Sequence, residues 1–115
     1  MRAVKHIPLS YYSENDTRYV FLDGLVCSTL ATCYYILQQQ LSLPDYFGSN
    51  LDALDEVLSD LDWIPEKKIK IIIANNDQLL NGEAHKRKDF LDTINSADND
   101  KVEIIYLESG NKKMK

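Results

Sequence analysis

The stretch LPDYFGSNLDALDEVLSDLDW, residues 43–63, organises the interpretation of the whole chain. Its leucines recur at spacings of three and four residues, which places them on one face of a helix: Leu51, Leu54, Leu58 and Leu61. With a rotation of about 100° per residue, the opposite face collects four polar residues: Asp52, Asp55, Glu56 and Ser59. The stretch therefore predicts a short amphipathic helix with one apolar and one acidic face.

The residues just before this helix carry signals of a helix start. Ser49 followed three residues later by Asp52 fits a capping box, and Asn50 is the competing N-cap. Gly48 suits a turn that requires a positive φ. Asp52 then has a structural role, because a carboxylate in the first turn complements the helix dipole.

The later acids of the stretch have no such structural role. Like charges four residues apart, such as Glu56 and Asp60, cost roughly 0.2–0.5 kcal/mol per pair. Acids near the C-terminal end of a helix also oppose its dipole. Two interpretations stay open at this point, an acidic face that is merely solvated and one that is kept acidic for a partner.

The first part of the stretch resembles the signature of the barstar family, small intracellular proteins that bind and inhibit ribonucleases. That signature runs Leu-Pro, an acid, two aromatics, Gly, any residue, and then Asn-Leu-Asp-Ala-Leu. Eleven of the twelve positions are specified, and all of these match: Leu43, Pro44, Asp45, Tyr46, Phe47, Gly48, Asn50, Leu51, Asp52, Ala53 and Leu54. Outside this block the resemblance is one of element order and length, over residues 18–108.

The resemblance implies that the helix and the loop before it plug a nuclease active site, with carboxylates in place of RNA phosphates. It implies partner-binding roles for Tyr46, Asn50, Asp52, Asp55, Glu56 and Ser59, and for Asp92, which matches a secondary acidic contact on a later helix. Two positions depart from the family's best-known pattern. Asp55 stands where that pattern has Trp, and Glu56 stands where it has Asp. The departures concern the identity of the target nuclease more than the binding mode.

The distribution of charge is a second clue to the partner. No Lys or Arg lies between Arg18 and Lys67, whereas this segment holds eight acids: Asp23, Asp45, Asp52, Asp55, Glu56, Asp60, Asp62 and Glu66. Such a concentration of negative charge attracts a basic partner. The net charge of −5 argues against general binding to nucleic acid or to an acidic membrane surface.

Length and cysteine content bound the class of protein. A chain of 115 residues forms one domain whose core needs neither disulfides nor metals. No signal-peptide pattern or apolar run near 18 residues is present, so we expect a cytoplasmic protein. Cys27 and Cys33, six residues apart, are expected to be reduced, core-facing thiols that point away from each other on a helix.

The remaining patterns predict an α/β fold with a small, mostly parallel three-stranded sheet packed by about four helices. The strands are expected near 19–22, 69–74 and 102–107, and the flanking helices near 28–40 and 83–96, with a further helical turn at Leu79-Leu80. The aromatic pair Tyr34-Tyr35 is interpreted as core. Residues 1–17 form an N-terminal extension that either adds a strand or drapes across the sheet, 18–108 form the barstar-like domain, and 109–115 form a basic tail.

An enzymatic function is disfavoured. Neighbouring carboxylates such as Asp52 and Glu56 serve acid–base or metal chemistry in some enzymes. Here no nucleophile motif, Gly-rich phosphate loop, GxSxG or HExxH accompanies them. We therefore expect no catalysis, cofactor or metal. The favoured reading is an inhibitor that binds a basic ribonuclease one to one. The alternative is a non-inhibitory binding module of the same fold that docks another basic protein.

Overall fold

The computed structural model describes residues 11–44 and 48–107 of the chain. Within this part, four strands and three α-helices follow in the order β1, β2, α1, α2, β3, α3, β4. Their bounds are Tyr12–Glu14 (β1), Thr17–Asp23 (β2), Leu30–Leu41 (α1), Leu51–Leu58 (α2), Lys68–Ala74 (β3), Arg87–Asn95 (α3) and Val102–Leu107 (β4). Two short 3-10 helices, Asn76–Gln78 and Asn81–Lys86, lie between β3 and α3.

The strands form one sheet in the order β1-β2-β3-β4. β2, β3 and β4 are parallel, while β1 pairs antiparallel with β2. The isoleucine run in β3 explains its position between two partners: Ile69, Ile71 and Ile73 are completely buried on one face, and Ile72 is half-buried on the other. The prediction of an α/β fold with a mostly parallel sheet is confirmed.

The helices pack against the buried face of the sheet. Most of the residues predicted to face inward are buried there: Cys33, Tyr34 and Leu37 of α1, Leu54 and Leu58 of α2, Leu61, and Phe90 and Ile94 of α3. Three others, Leu30, Leu51 and Leu91, are partly buried and pack against the same core. The helical periodicity therefore identified the faces that hold α1, α2 and α3 in place.

The sheet has one strand more than the three predicted. β1 comes from the predicted extension 1–17 and pairs with the sheet as an extra strand, whereas residues 1–10 lie outside the described residues. Asn15 and Asp16 connect β1 to β2, and both have positive φ, 54° and 62°. Two such residues are typical of a type I′ hairpin turn. The strand was missed because its three residues are all exposed and show no alternation of buried and exposed positions.

The described residues hold three α-helices where about four helices were predicted. The turn expected near Leu80 is interrupted, because Leu80 adopts a left-handed conformation between the two 3-10 helices. α3 begins at Arg87, four residues later than predicted. The N–H groups of Leu80 and Gly82 donate to the carbonyl oxygens of Cys27 and Ser28, at 2.8 and 2.9 Å. These bonds hold the segment against the start of α1, so that it cannot continue as an α-helix.

The two cysteines contact each other, contrary to the prediction that they point apart. Cys27 precedes the helix, whose N-cap is Thr29, so helical spacing does not relate it to Cys33. Both thiols are free and completely buried. Their mutual hydrogen bond lowers the pKa of Cys27 and, together with burial, raises the pKa of Cys33.

The side chain of Gln40 occupies part of the edge of β2. β1 pairs with β2 as far along as Tyr19. Beyond that point, the Gln40 carboxamide accepts from the N–H of Phe21 at 2.8 Å and donates to its carbonyl oxygen at 3.1 Å. Gln40 is completely buried, so α1 satisfies backbone groups that β1 leaves unpaired.

A buried ion pair joins three parts of the chain. Arg18 of β2 is 3% exposed, and its Nε lies 3.0 Å from Oε1 of Glu66. Arg18 Nη1 also donates to the carbonyl oxygen of Gln40 at 3.1 Å, while Ser13 of β1 donates its hydroxyl to Glu66 Oε2 at 2.7 Å. Burial alone would raise the pKa of Glu66, but the Ser13 hydrogen bond and the Arg18 charge hold it below its ordinary value of 4.5.

Glu66→Gln should destabilise the protein strongly at neutral pH, because it leaves the buried Arg18 charge without its counter-charge. Removal of one partner from a buried pair costs about 3–5 kcal/mol. Since the pKa of Glu66 is lowered in the folded state, its contribution is present above the unfolded-state pKa and is lost as pH falls through the folded-state pKa. Urea unfolding at pH 7 and at pH 3 should show a large difference between parent and variant only at pH 7.

The control for this experiment is Glu103→Gln. Glu103 lies 4.0 Å from Lys70 and is well exposed, so its removal should change the free energy of unfolding by less than about 0.5 kcal/mol. Equal effects of the two substitutions at pH 7 would contradict the special role of the buried pair.

Candidate functional site

The start of α2 is capped by Asn50. Asn50 has an extended backbone, and its Oδ1 accepts from the N–H of Ala53 at 2.8 Å. The predicted capping box of Ser49 and Asp52 is wrong, because Ser49 is left-handed, with φ of 54°, and an N-cap residue takes extended geometry. Ser49, rather than Gly48, carries the positive φ of this turn. Asp52 remains in the first turn of the helix, where it complements the dipole.

The polar face of α2 consists of Asp52, Asp55, Glu56 and Ser59, and all four side chains are exposed. On the opposite side, Leu54 and Leu58 are buried in the core. The amphipathic arrangement predicted for this helix is therefore confirmed. It presents three carboxylates to solvent on an element whose apolar side is fixed.

The C-terminal end of α2 is held by groups that are distant in the sequence. Lys101 donates from Nζ to the carbonyl oxygens of Leu61 and Ile64, at 2.9 and 3.3 Å. Trp63 donates from Nε1 to the carbonyl oxygen of Leu41 at 3.0 Å, which ties this end to α1. The sequence pattern missed Lys101 because it lies about 40 residues further along the chain. Its charge stands where a cation favours the helix dipole.

Two members of the polar face have partners within the protein. The hydroxyl of Ser59 donates back to the carbonyl oxygen of Asp55 at 2.7 Å, so Ser59 faces a partner with its acceptor capacity. Asp55 Oδ1 accepts from the hydroxyl of Ser96, at the end of α3, at 3.2 Å. This contact joins α2 to α3 at the site.

α3 adds two exposed carboxylates, Asp89 and Asp92. Asp92 pairs with Lys88 at 2.9 Å, and this contact raises the pKa of Lys88. Because both side chains are highly exposed, the pair contributes little to stability and opens easily. Asp92 is therefore accessible for the secondary contact that the resemblance implies. Asp89 was not identified from the sequence, since it matched no part of the signature.

A groove of about 970 Å³ lies beside the polar face of α2. It is lined by Leu30, Ala31, Tyr34, Tyr35 and Gln38 of α1, by residues 49–52, and by Glu83, Lys86 and Asp89. Tyr34 is buried as predicted, but Tyr35 is 49% exposed at the groove. The prediction that Tyr35 belongs to the core is wrong, because it lies one position beyond the inward stripe of α1.

The remaining sequence predictions fall outside the site or outside the described residues. Tyr46 lies in the segment 45–47, and the basic tail in 109–115, neither of which is among the described residues. In the described ranges, no group of three or more His, Cys, Asp or Glu side chains is placed to hold a metal ion. No helix in those ranges is long and apolar enough to cross a membrane.

The basic run 85–88 has a structural explanation. Arg87 donates from Nε to the carbonyl oxygen of Leu79 at 3.0 Å and from Nη2 to that of Asn76 at 2.7 Å. Lys86 and Lys88 lie next to acids on their own helical segments. The run therefore stabilises the approach to α3.

The chain belongs to the barstar family. The family model described as Barstar (barnase inhibitor) matches residues 17–108, which include β2 to β4 and all three α-helices described above. A search of curated proteins found no matching relative. β1, at residues 12–14, precedes the matched region.

Asn50→Ala should destabilise the fold by about 1 kcal/mol, because it leaves the N–H of Ala53 without its side-chain acceptor. Ser49→Ala should cost clearly less, since Ser49 makes no capping bond to α2. Urea unfolding of both variants measures the difference. A cost for Ser49→Ala as large as that for Asn50→Ala would restore the capping box.

Proposed function

We propose that this protein inhibits a basic ribonuclease of the barnase type by occluding its active site with α2 and the loop before it. The observation that carries the proposal is the exposed set Asp52, Asp55 and Glu56, on a helix whose other side is locked into the core. Family membership supports it, because the family model is described as a barnase inhibitor.

The physical basis of inhibition is charge mimicry. A ribonuclease binds the phosphates of RNA with cationic side chains, and carboxylates at matching positions satisfy the same groups. The concentration of acids around α2 accelerates the encounter with a basic protein. A helix that is already held at both ends loses little conformational freedom on binding, so less of the interaction energy is spent on ordering.

Each candidate residue has a distinct role in this proposal. Asp52 and Glu56 pair with active-site Arg, Lys or His side chains, and Asp55 lies in the same footprint while it contacts Ser96. Asn50 shapes the loop by capping the helix. The roles of the other members follow the family resemblance: Tyr46 as a contact from the loop, Ser59 as an acceptor and Asp92 as a secondary acid.

In this proposal one copy binds one nuclease molecule, nothing is turned over, and no cofactor takes part. Such an inhibitor serves as a cytoplasmic immunity protein that neutralises a toxic ribonuclease. The substitutions at Asp55 and Glu56, relative to the family's best-known pattern, adjust which nuclease is bound.

The direct test is titration of the full-length protein into barnase and a panel of related basic ribonucleases with a fluorogenic RNA substrate. We expect at least one of these activities to be abolished near one equivalent. No RNA hydrolysis is expected from the protein alone. Undiminished cleavage by every nuclease at tenfold excess would contradict inhibition and favour a binding module without inhibitory function.

Glu56→Ala separates binding from folding. Glu56 is exposed in the middle of α2, and alanine is the better helix former and removes repulsion from Asp52 and Asp60. The free energy of unfolding should therefore stay unchanged or rise slightly. Affinity for the inhibited nuclease should fall strongly. Close charge pairs in the barnase–barstar complex couple by roughly 1.5–7 kcal/mol, a range borrowed from that related complex.

The paired measurement uses denaturant unfolding and the dissociation constant of the same Glu56→Ala protein. Asp77→Ala is the control, because Asp77 is an exposed acid in the first 3-10 helix, away from α2. Lower stability with unchanged affinity would make Glu56 a structural residue and would move the binding face elsewhere.

A further inference from the structure

The groove beside α2 contains carboxylates of two kinds. Glu83 is already engaged, since Oε1 accepts from the N–H of Leu30 at 2.8 Å and Oε2 lies 3.7 Å from Lys86. The Leu30 bond, with help from Lys86, holds the pKa of Glu83 below its ordinary value. Asp52 and Asp89, in contrast, have no side-chain hydrogen bond or ion pair to any of the described residues. Lys86 thus offsets Glu83, and two uncompensated negative charges remain.

The opposite wall of the groove is aromatic and polar. Tyr35 of α1 is 49% exposed there, and Gln38 lies one turn further along the same helix. An aromatic ring of this size at a protein surface binds cations through its face. An exposed ring and two free carboxylates in one groove together match a cation that is both flat and positively charged.

The groove is continuous with the polar face of α2, because Asp52 belongs to both. A protein that covers the polar face therefore also reaches the mouth of the groove. The occupant has to be basic, given the net negative lining. Arginine fits better than lysine, since a planar guanidinium stacks on an aromatic ring and donates to two carboxylates at once.

We propose that this groove receives an arginine side chain of the partner nuclease, which pairs with Asp89 and Asp52 and stacks on Tyr35. The inference rests on the proposed inhibitor function and extends the interface from α2 onto α1 and the start of α3. Tyr35 and Asp89 then act as specificity determinants. They favour nucleases that carry an arginine beside the phosphate-binding centre over nucleases that have only the centre itself.

The test compares Asp89→Asn, Tyr35→Ser and the control Asp98→Asn in binding to the nuclease that the parent inhibits most strongly. Asp98 is an exposed acid that lines a separate depression next to β4. We expect the dissociation constant to rise about tenfold or more for Asp89→Asn and about fivefold for Tyr35→Ser. Asp98→Asn should leave it unchanged within about twofold. Urea unfolding of each variant separates loss of binding from loss of fold, because Asp89 also lies in the first turn of α3.

A double-mutant cycle identifies the occupant. One arginine of the nuclease, replaced by alanine, should remove most of the effect of Asp89→Asn. Coupling to a lysine alone would overturn the guanidinium assignment. Normal inhibition by the parent, with Asp89→Asn and Tyr35→Ser behaving like the control, would overturn the groove while leaving the proposed function intact. Failure of the parent to inhibit any nuclease would overturn both.

Discussion

The buried pair of Arg18 and Glu66 is the constraint on which the arrangement of the other elements depends. Arg18 belongs to β2, and Glu66 lies between α2 and β3; the two also bind Gln40 at the end of α1 and Ser13 of β1. Because an unpaired charge at such depth is costly, these segments have one low-energy arrangement. That arrangement fixes where α1 ends and where the chain re-enters the sheet after α2. The candidate site is thus positioned by a polar contact on the far side of the helix that displays it.

The site itself combines a rigid support with a surface that is costly in isolation. The three carboxylates of α2 repel one another and lack a cation within the helix. Lys101 and Trp63 compensate from outside by holding the segment that follows the helix. Stability and binding are therefore carried by different side chains, which is why substitutions on the polar face and beneath it should have opposite consequences.

Much of this organisation could be predicted from the sequence. The leucine spacing identified the buried side of α2, the isoleucine run identified β3, and the signature around Asn50 identified the family. The misses share a physical cause, since each depends on contacts between distant residues. β1 carries no burial pattern, Lys101 meets α2 only in three dimensions, and Tyr35 adjoins a groove whose other walls come from α2 and the approach to α3. The choice between Ser49 and Asn50 as cap required the backbone conformation, which local residue preference does not determine.

The amide of Gln40 on the edge of β2 has a consequence for behaviour at high concentration. A strand edge with free N–H and C=O groups is a template on which a second chain can add a strand, and this is a common route to aggregation. β1 is only three residues long and shields just the first part of that edge. By taking both backbone groups of Phe21, Gln40 acts as a molecular plug that leaves an incoming strand no complete ladder to join. A single glutamine on a helix thereby contributes to keeping the protein monomeric.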